Sequence, residues 1–119
     1  MNPPVTRPSR HKPQRTRVLG TFSYLVMCII YRLPVDECYA ALLEKDVNEY
    51  YFDQPIDLPQ VHVTLIRLEK RGFLKSADAT AIGGTNYKVK LYTITPDGLA
   101  RLKEAVSYYE MLAKAGPKF

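Results

Sequence analysis

The chain has 119 residues, of which 46% are hydrophobic and 24% are charged, and its net charge is +5. This length fits one domain with a modest core, and the composition is that of an ordinary globular protein, which excludes disorder of the whole chain. The apolar run 18–31 is shorter than the roughly 20 residues that span a bilayer. Prolines interrupt the tail before it, so we expect neither a signal peptide nor a membrane segment.

The charge is distributed unevenly along the sequence. Residues 1–17 carry +5, residues 18–57 carry −5, residues 58–95 carry +4 and residues 96–119 carry +1. A basic middle beside an acidic first part suggests a surface for a polyanion, although solvated charged faces are the simpler alternative. The Pro- and Arg-rich segment 1–16 is predicted to be a disordered basic arm, either an inert tail or an arm that grasps DNA.

The two cysteines, Cys28 and Cys38, both lie among apolar residues. Two cysteines make neither a disulfide framework nor a metal site, and free cysteine packs as a small hydrophobe. We therefore expect a reducing, cytoplasmic setting, with a redox switch between the two thiols as the alternative.

Apolar residues at steps of three and four predict two helices in the first half of the chain. The first is expected over 17–32, and the second from Pro34, which suits a first helical turn, to about Tyr51. The positions expected to face the core are Leu19, Phe22, Val26, Ile29 and Leu33 in the first helix, and Val35, Cys38, Leu42 and Val47 in the second.

A third helix is predicted to begin after Asp57, a good N-cap, and to stop at Gly72 after continuing to Arg71. One face of this helix is apolar and is expected to pack on the first two helices, through Leu58, Val61, Leu65 and Leu68. The other side carries Gln60, Val63, Thr64, Arg67, Lys70 and Arg71. That division into an apolar and a cationic side makes this helix the candidate for nucleic-acid contact.

Two short strands, 73–77 and 87–95, are predicted next, joined by a turn at 83–86. Alternation in the second strand places Lys88 and Lys90 on one face, and the hairpin is long enough to project as a wing. Together with Lys75, these lysines would contact phosphate or the minor groove.

A final helix is predicted over 96–114, opened by the cap Thr95 and the first-turn residue Pro96. Its apolar stripe consists of Leu99, Leu102, Val106, Tyr109 and Ala113. The alternating steps of three and four suit a helix that packs against another helix. We expect a dimer interface here, with packing on the chain's own domain as the alternative.

Enzymatic constellations are lacking in the sequence. His11 and His62 have no Cys, Asp or Glu at metal-ligand spacing, and Gly83-Gly84 lacks the lysine of a phosphate loop. We therefore expect no catalytic site, no metal and no cofactor. The remaining class is nucleic-acid binding, in which an α-helix enters the major groove, polar side chains contact bases and basic ones hold phosphates. In this hypothesis Gln60, Thr64 and Arg67 contribute specificity, and Lys70, Arg71, Lys75, Lys88 and Lys90 contribute affinity.

Two motifs resemble the PadR-like winged-helix regulators. Residues 61–75, VHVTLIRLEKRGFLK, look like a recognition helix and first wing strand, and residues 90–98, KLYTITPDG, look like the second wing strand leading into the last helix. The resemblance implies a mainly α winged helix-turn-helix (α-α-α-β-β-α) over 17–115, with a C-terminal dimerisation helix and a short tail at 116–119. It further implies a homodimeric transcription regulator of double-stranded DNA, commonly a repressor.

Some members of that family bind aromatic ligands between subunits, so the resemblance raises a possible aromatic effector near Tyr108 and Tyr109, with packing as the alternative. Two other functions stay open. The first alternative is a winged helix that binds protein instead of DNA. The second is a DNA-binding factor for plasmid or phage replication or partition.

Overall fold

The computed structural model describes residues 18–51, 54–81 and 87–119. Along the chain, three helices precede a two-stranded hairpin and a long final helix, which confirms the predicted order. The elements are α1 (Thr21–Arg32), a short 3-10 helix (Val35–Glu37), α2 (Ala40–Asn48), α3 (Leu58–Lys70), β1 (Leu74–Ala81), β2 (Tyr87–Ile94) and α4 (Pro96–Ala115). The predicted basic arm and the wing turn at 83–86 lie outside the described residues.

The first two helices are shorter than predicted. Helix α1 begins at Thr21, because the preceding Leu19 is buried in non-helical backbone whose carbonyl accepts a hydrogen bond from the Tyr109 hydroxyl at 2.6 Å. The expected second helix is divided at Cys38, whose carbonyl accepts a bond from the backbone N–H of Tyr92 in β2 at 2.9 Å. At Cys38 and Tyr39 the backbone leaves the helical region, with ψ of 62° and 160°, and this interrupts the helix.

This division also changes which side chains of the second segment are buried. Val35, expected in the core, is 59% exposed, and Leu42 is only half-buried, whereas Leu43 and Val47 are fully buried. Once the helix restarts at Ala40, its inward face is set by the new register.

Helix α3 has the predicted ends because its signals are local. The Asp57 carboxylate accepts the Gln60 backbone N–H at 3.1 Å, and the Gln60 amide oxygen accepts the Asp57 backbone N–H at 3.4 Å, which completes a capping box. At the other end Gly72 has φ +84°, and the N–H of Phe73 bonds to the carbonyl of Leu68. This is the Schellman arrangement that glycine favours.

The hairpin pairs β1 and β2 in antiparallel register, with Leu74 opposite Ile94 and Ala81 opposite Tyr87. Strand β1 extends four residues beyond the predicted end at Ala77, because β2 offers a partner for every one of its positions. Strand β2 ends at Ile94, one residue before the predicted end, and Thr95 caps α4 as predicted.

Thr95 joins three elements. Its hydroxyl oxygen accepts the Gly98 N–H at 2.9 Å and donates to the Gly72 carbonyl at 2.6 Å, and its own N–H bonds to the Phe73 carbonyl at 3.1 Å. The start of α4 is therefore fixed to the end of α3 and the beginning of the wing.

The core lies where α1, α2 and α3 meet the base of the hairpin and the first half of α4. Its fully buried large side chains are Leu19, Val26, Met27, Ile29, Leu43, Val47, Val61, Leu65, Leu68 and Leu74. Within the described ranges, none of the helices is both long and apolar enough to cross a membrane.

Both cysteines are free. Burial raises the pKa of the Cys28 thiol, and burial together with the nearby Glu37 and Asp36 raises that of Cys38 to about 11. Cys38 lies in the core and the half-buried Cys28 packs against it, as small hydrophobic side chains do.

Candidate nucleic-acid interface

Helix α3 presents an outward face that is apolar at its centre. Its buried positions are Val61, Thr64, Leu65 and Leu68. On the opposite side, Val63 and Ile66 are 50% and 48% exposed, between an exposed Pro59 and an exposed Lys70. Of these two residues, Val63 was predicted on this surface and Ile66 was not. Its position opposite the buried stripe was the signal that would have found it.

The predicted base-reading residues lie on one flank of this face, and Thr64 is not on the surface. Thr64 is only 7% exposed, which corrects the expectation that it lies on the open side of α3. Gln60 is exposed, although its amide oxygen is engaged by the capping box. Arg67 is exposed and lines the same groove as Gln60 and Val63. Of the three residues predicted to give specificity, Arg67 is therefore the one that is exposed and whose polar group is not engaged in a helix cap.

Two grooves run along the sides of α3, so that the helix stands between them as a ridge. The groove toward α1 has a volume of about 520 Å³ and includes Val63 and Arg67 in its wall. The groove toward the wing has a volume of about 770 Å³ and includes Ile66, Lys88 and Lys90.

The wing lysines do not form one surface. Lys88 and Lys90 share the face of β2 that carries the buried Tyr92, and this face turns toward α3. Lys75 lies on the other face, because it alternates with Ser76, which stands opposite Tyr92. Only Lys88 and Lys90 therefore combine with α3.

One of these two lysines is paired. Lys90 forms an ion pair of 3.7 Å with Asp78 across the hairpin, where both side chains are largely exposed. An exposed pair of this kind contributes little to stability and is readily exchanged for another anion. In the part of the chain that the structure describes, Arg67, Lys70 and Lys88 have no ion pair with an acidic side chain.

Arg71 is displaced from the face that was predicted for it. Its guanidinium lies over the Phe73 ring at 4.9 Å from the centroid, and that of Arg101 in α4 lies over the same ring at the same distance. Cation–π contacts orient both groups at the end of α3. Arg71 therefore lies beside the first turns of α4 and not on the outward side of α3.

The predicted dimer stripe on α4 is divided between the core and the surface. Leu102 is 5% exposed and belongs to the core of its own chain, which corrects its assignment to an exposed interface, and Leu99 is half-buried. Val106 is 37% exposed and Ala113 is exposed. The first half of α4 thus packs on its own domain and the second half offers an open surface.

Tyr109, the remaining member of the stripe, is engaged within its own chain. Its ring stacks on Tyr24 with centroids 4.6 Å apart, its hydroxyl donates to the Leu19 carbonyl, and Tyr108 meets it edge-on at 5.2 Å. These contacts favour packing as the role of the tyrosines.

No protein-family model and no curated protein matches the sequence. Among solved structures, the fold is similar to a PadR-like regulator from Bacillus cereus at 22% identity, with 81% of this chain and 87% of that chain covered and a TM-score of 0.67. A PadR-like transcription factor from Bacteroides fragilis is 20% identical over 89% of this chain and 94% of that chain, with a TM-score of 0.64. Bacillus subtilis PadR in complex with operator DNA is 19% identical over 73% of this chain and 48% of that chain, with a TM-score of 0.59. The chain thus has the PadR-like winged-helix fold.

Proposed function

We propose that this winged-helix chain is a transcription regulator that binds double-stranded DNA as a homodimer and acts as a repressor. The observation that carries the proposal is the capped helix α3, which projects between two grooves with Arg67 and Lys70 exposed and with Lys88 and Lys90 of the wing beside it. An α-helix of this kind fits the major groove, and lysines at its side reach phosphates. The similar Bacillus subtilis protein, solved on operator DNA, adds support from outside the chain.

The cations are placed so that one duplex would meet several of them together. Lys70 extends from the outward side of α3, whereas Lys88 approaches from the wing that borders the same helix. Phosphate contacts of this type supply affinity and release counterions, which makes binding depend steeply on salt.

Binding to random duplex DNA across a salt series tests the function. We expect Lys70→Gln and Lys88→Gln each to reduce the log–log salt slope by about one, because each removes one phosphate contact. The matched control is Lys103→Gln, an exposed lysine on α4, which is expected to leave the slope unchanged.

If the full-length protein binds DNA but neither substitution changes the slope, Lys70 and Lys88 are not phosphate contacts, and the affinity comes from other cations, such as those of the basic segment 1–17. If it does not bind DNA at all, the alternative of a protein-binding winged helix is favoured.

Dimerisation is proposed through the second half of α4. Val106 and Ala113 lie at helical spacing beyond the point where the stripe leaves the core, and Leu112 beside them is 47% exposed. A row of this kind is covered when the same helix of a second copy packs against it. The two α3 helices of such a dimer would read two half-sites of a symmetric operator.

Ala113→Glu is expected to weaken self-association by at least about tenfold, because a carboxylate buried without a partner loses its hydration. Met111→Glu is the matched control, since residues two apart lie on nearly opposite sides of a helix and Met111 is 60% exposed. Sedimentation equilibrium measures both. Dissociation by Met111→Glu alone would place the interface on the other side of α4.

A further inference from the structure

We infer that Val63 and Ile66 contact the 5-methyl groups of thymines in the major groove, so that the preferred sites of this protein carry A·T pairs beneath the centre of α3. The inference rests on the proposed function and extends it from phosphate binding to a class of base sequence. It assigns the recognition of bases beneath the centre of α3 to two apolar side chains.

The geometry begins with the buried side of α3. Leu65 and Leu68 are 0% and 1% exposed and hold the helix against the core. Val63 and Ile66 lie on the side turned away from the core, on either side of the line through Pro59 and Lys70, and they are half-exposed although they are branched aliphatic groups. Together they form a short apolar strip on the outward side of α3, with the exposed Arg67 and Lys70 beside it.

The two side chains stand on the crest of the ridge. Val63 borders the groove toward α1, and Ile66 borders the groove toward the wing. When a helix lies in the major groove, the crest comes nearest to the base edges and the flanks come nearest to the sugar–phosphate walls. Lys88 on the wing would hold a phosphate of one wall, and Lys70, at the C-terminal end of the same outward side, would reach a phosphate where the helix leaves the groove.

The chemistry then selects thymine. A valine or isoleucine side chain has no hydrogen-bond donor or acceptor, and the only apolar group that the four base pairs offer in the major groove is the thymine methyl. Polar base edges facing these side chains would lose water without gaining a partner. A methyl buried against an aliphatic group gains about fourfold in affinity, from the transfer free energy of one carbon.

The test compares two duplexes that differ only in that methyl. The full chain is titrated against alternating dA-dT duplex and against the same duplex with deoxyuridine in place of thymidine. We expect the wild-type protein to bind the thymidine duplex about fourfold or more tightly than the deoxyuridine duplex. For Val63→Ala and Ile66→Ala we expect this ratio of affinities to be closer to one. Val35→Ala is the matched control, because Val35 is a similarly exposed valine on the short 3-10 helix, in a groove that contains no residue of α3, and it is expected to keep the wild-type ratio.

The ratio is internal to each variant, so a general loss of affinity does not imitate the effect. Equal affinity of the wild-type protein for the two duplexes overturns the inference while leaving DNA binding intact. A thymine preference that persists unchanged in both α3 variants also overturns it, because the methyl is then read elsewhere. The absence of salt-dependent binding to either duplex overturns the proposed function itself.

Discussion

Gly98→Ala is expected to lower the free energy of unfolding by about 3 kcal/mol, at the upper end of the cost of overpacking. A Cβ at Gly98 would lie 2.0 Å from the carbonyl oxygen of Phe73 and 3.1 Å from a methyl of Ile94. The Phe73 carbonyl already accepts a hydrogen bond from the backbone N–H of Thr95. The hydroxyl of Thr95 in turn donates to the Gly72 carbonyl. Because the obstacle is backbone held from two sides, the strain cannot be relieved by a side-chain rotation.

The sign of this effect separates two physical contributions. Helix propensity alone favours alanine over glycine by up to about 1 kcal/mol within a helix, so propensity predicts stabilisation. The steric clash predicts the opposite and is the larger. Urea unfolding at a fixed protein concentration measures the difference, with Gly116→Ala as control, since a Cβ there would meet only the Ala113 carbonyl at an ordinary 3.5 Å. A Gly98→Ala variant as stable as the wild type would contradict the close approach of α4 to the wing.

The extent to which the fold follows from sequence depends on how far apart the interacting groups lie in the chain. Helix α3 was predicted to within one residue, because Asp57 and Gly72 fix its ends through bonds to their immediate neighbours. The second helix was predicted too long, because the carbonyl of Cys38 is claimed by Tyr92 in a distant strand. Periodicity contains no information about such a partner.

In the candidate interface, too, contacts with distant parts of the chain decide where single side chains lie. Helical spacing separates the buried side of α3 from its outward side, but positions at the boundary are decided by neighbouring elements. Thr64 is at that boundary and is buried in the wall toward α1. Arg71 likewise was expected on the cationic side, whereas the ring of Phe73 draws its guanidinium toward α4.

The stripe of α4 illustrates a different limit. Steps of three and four predict that a helix packs against something, and they do not state whether the partner belongs to the same chain. Leu102 and Tyr109 find their partners within the domain, the former in the core and the latter on Tyr24. The part of α4 beyond that contact leaves Ala113 exposed, and this is where we propose that a second copy packs.

Arg67→Ala is expected to weaken binding to a duplex site selected from a random library by about 1–3 kcal/mol, which corresponds to roughly fivefold to 150-fold in affinity. Arg67 is the exposed cation on the flank of the α3 ridge, in the wall of the groove that also contains Gln60 and Val63. Its guanidinium has the fork geometry that reads the two acceptors of guanine in the major groove. Because the side chain is exposed, the free energy of unfolding should change by no more than about 0.5 kcal/mol, which thermal unfolding checks.

Arg67→Lys distinguishes the two contacts that a cation at this position can make. A lysine keeps the charge but loses the two parallel N–H donors, so it restores a phosphate contact and does not restore a guanine contact. If Arg67 reads guanine beside the thymines expected under Val63 and Ile66, both substitutions should relax the preference at one base pair while affinity for random DNA changes little. Equal losses on selected and random DNA, repaired by lysine, would instead make Arg67 a phosphate anchor and leave the apolar crest of α3 as the main reader of sequence.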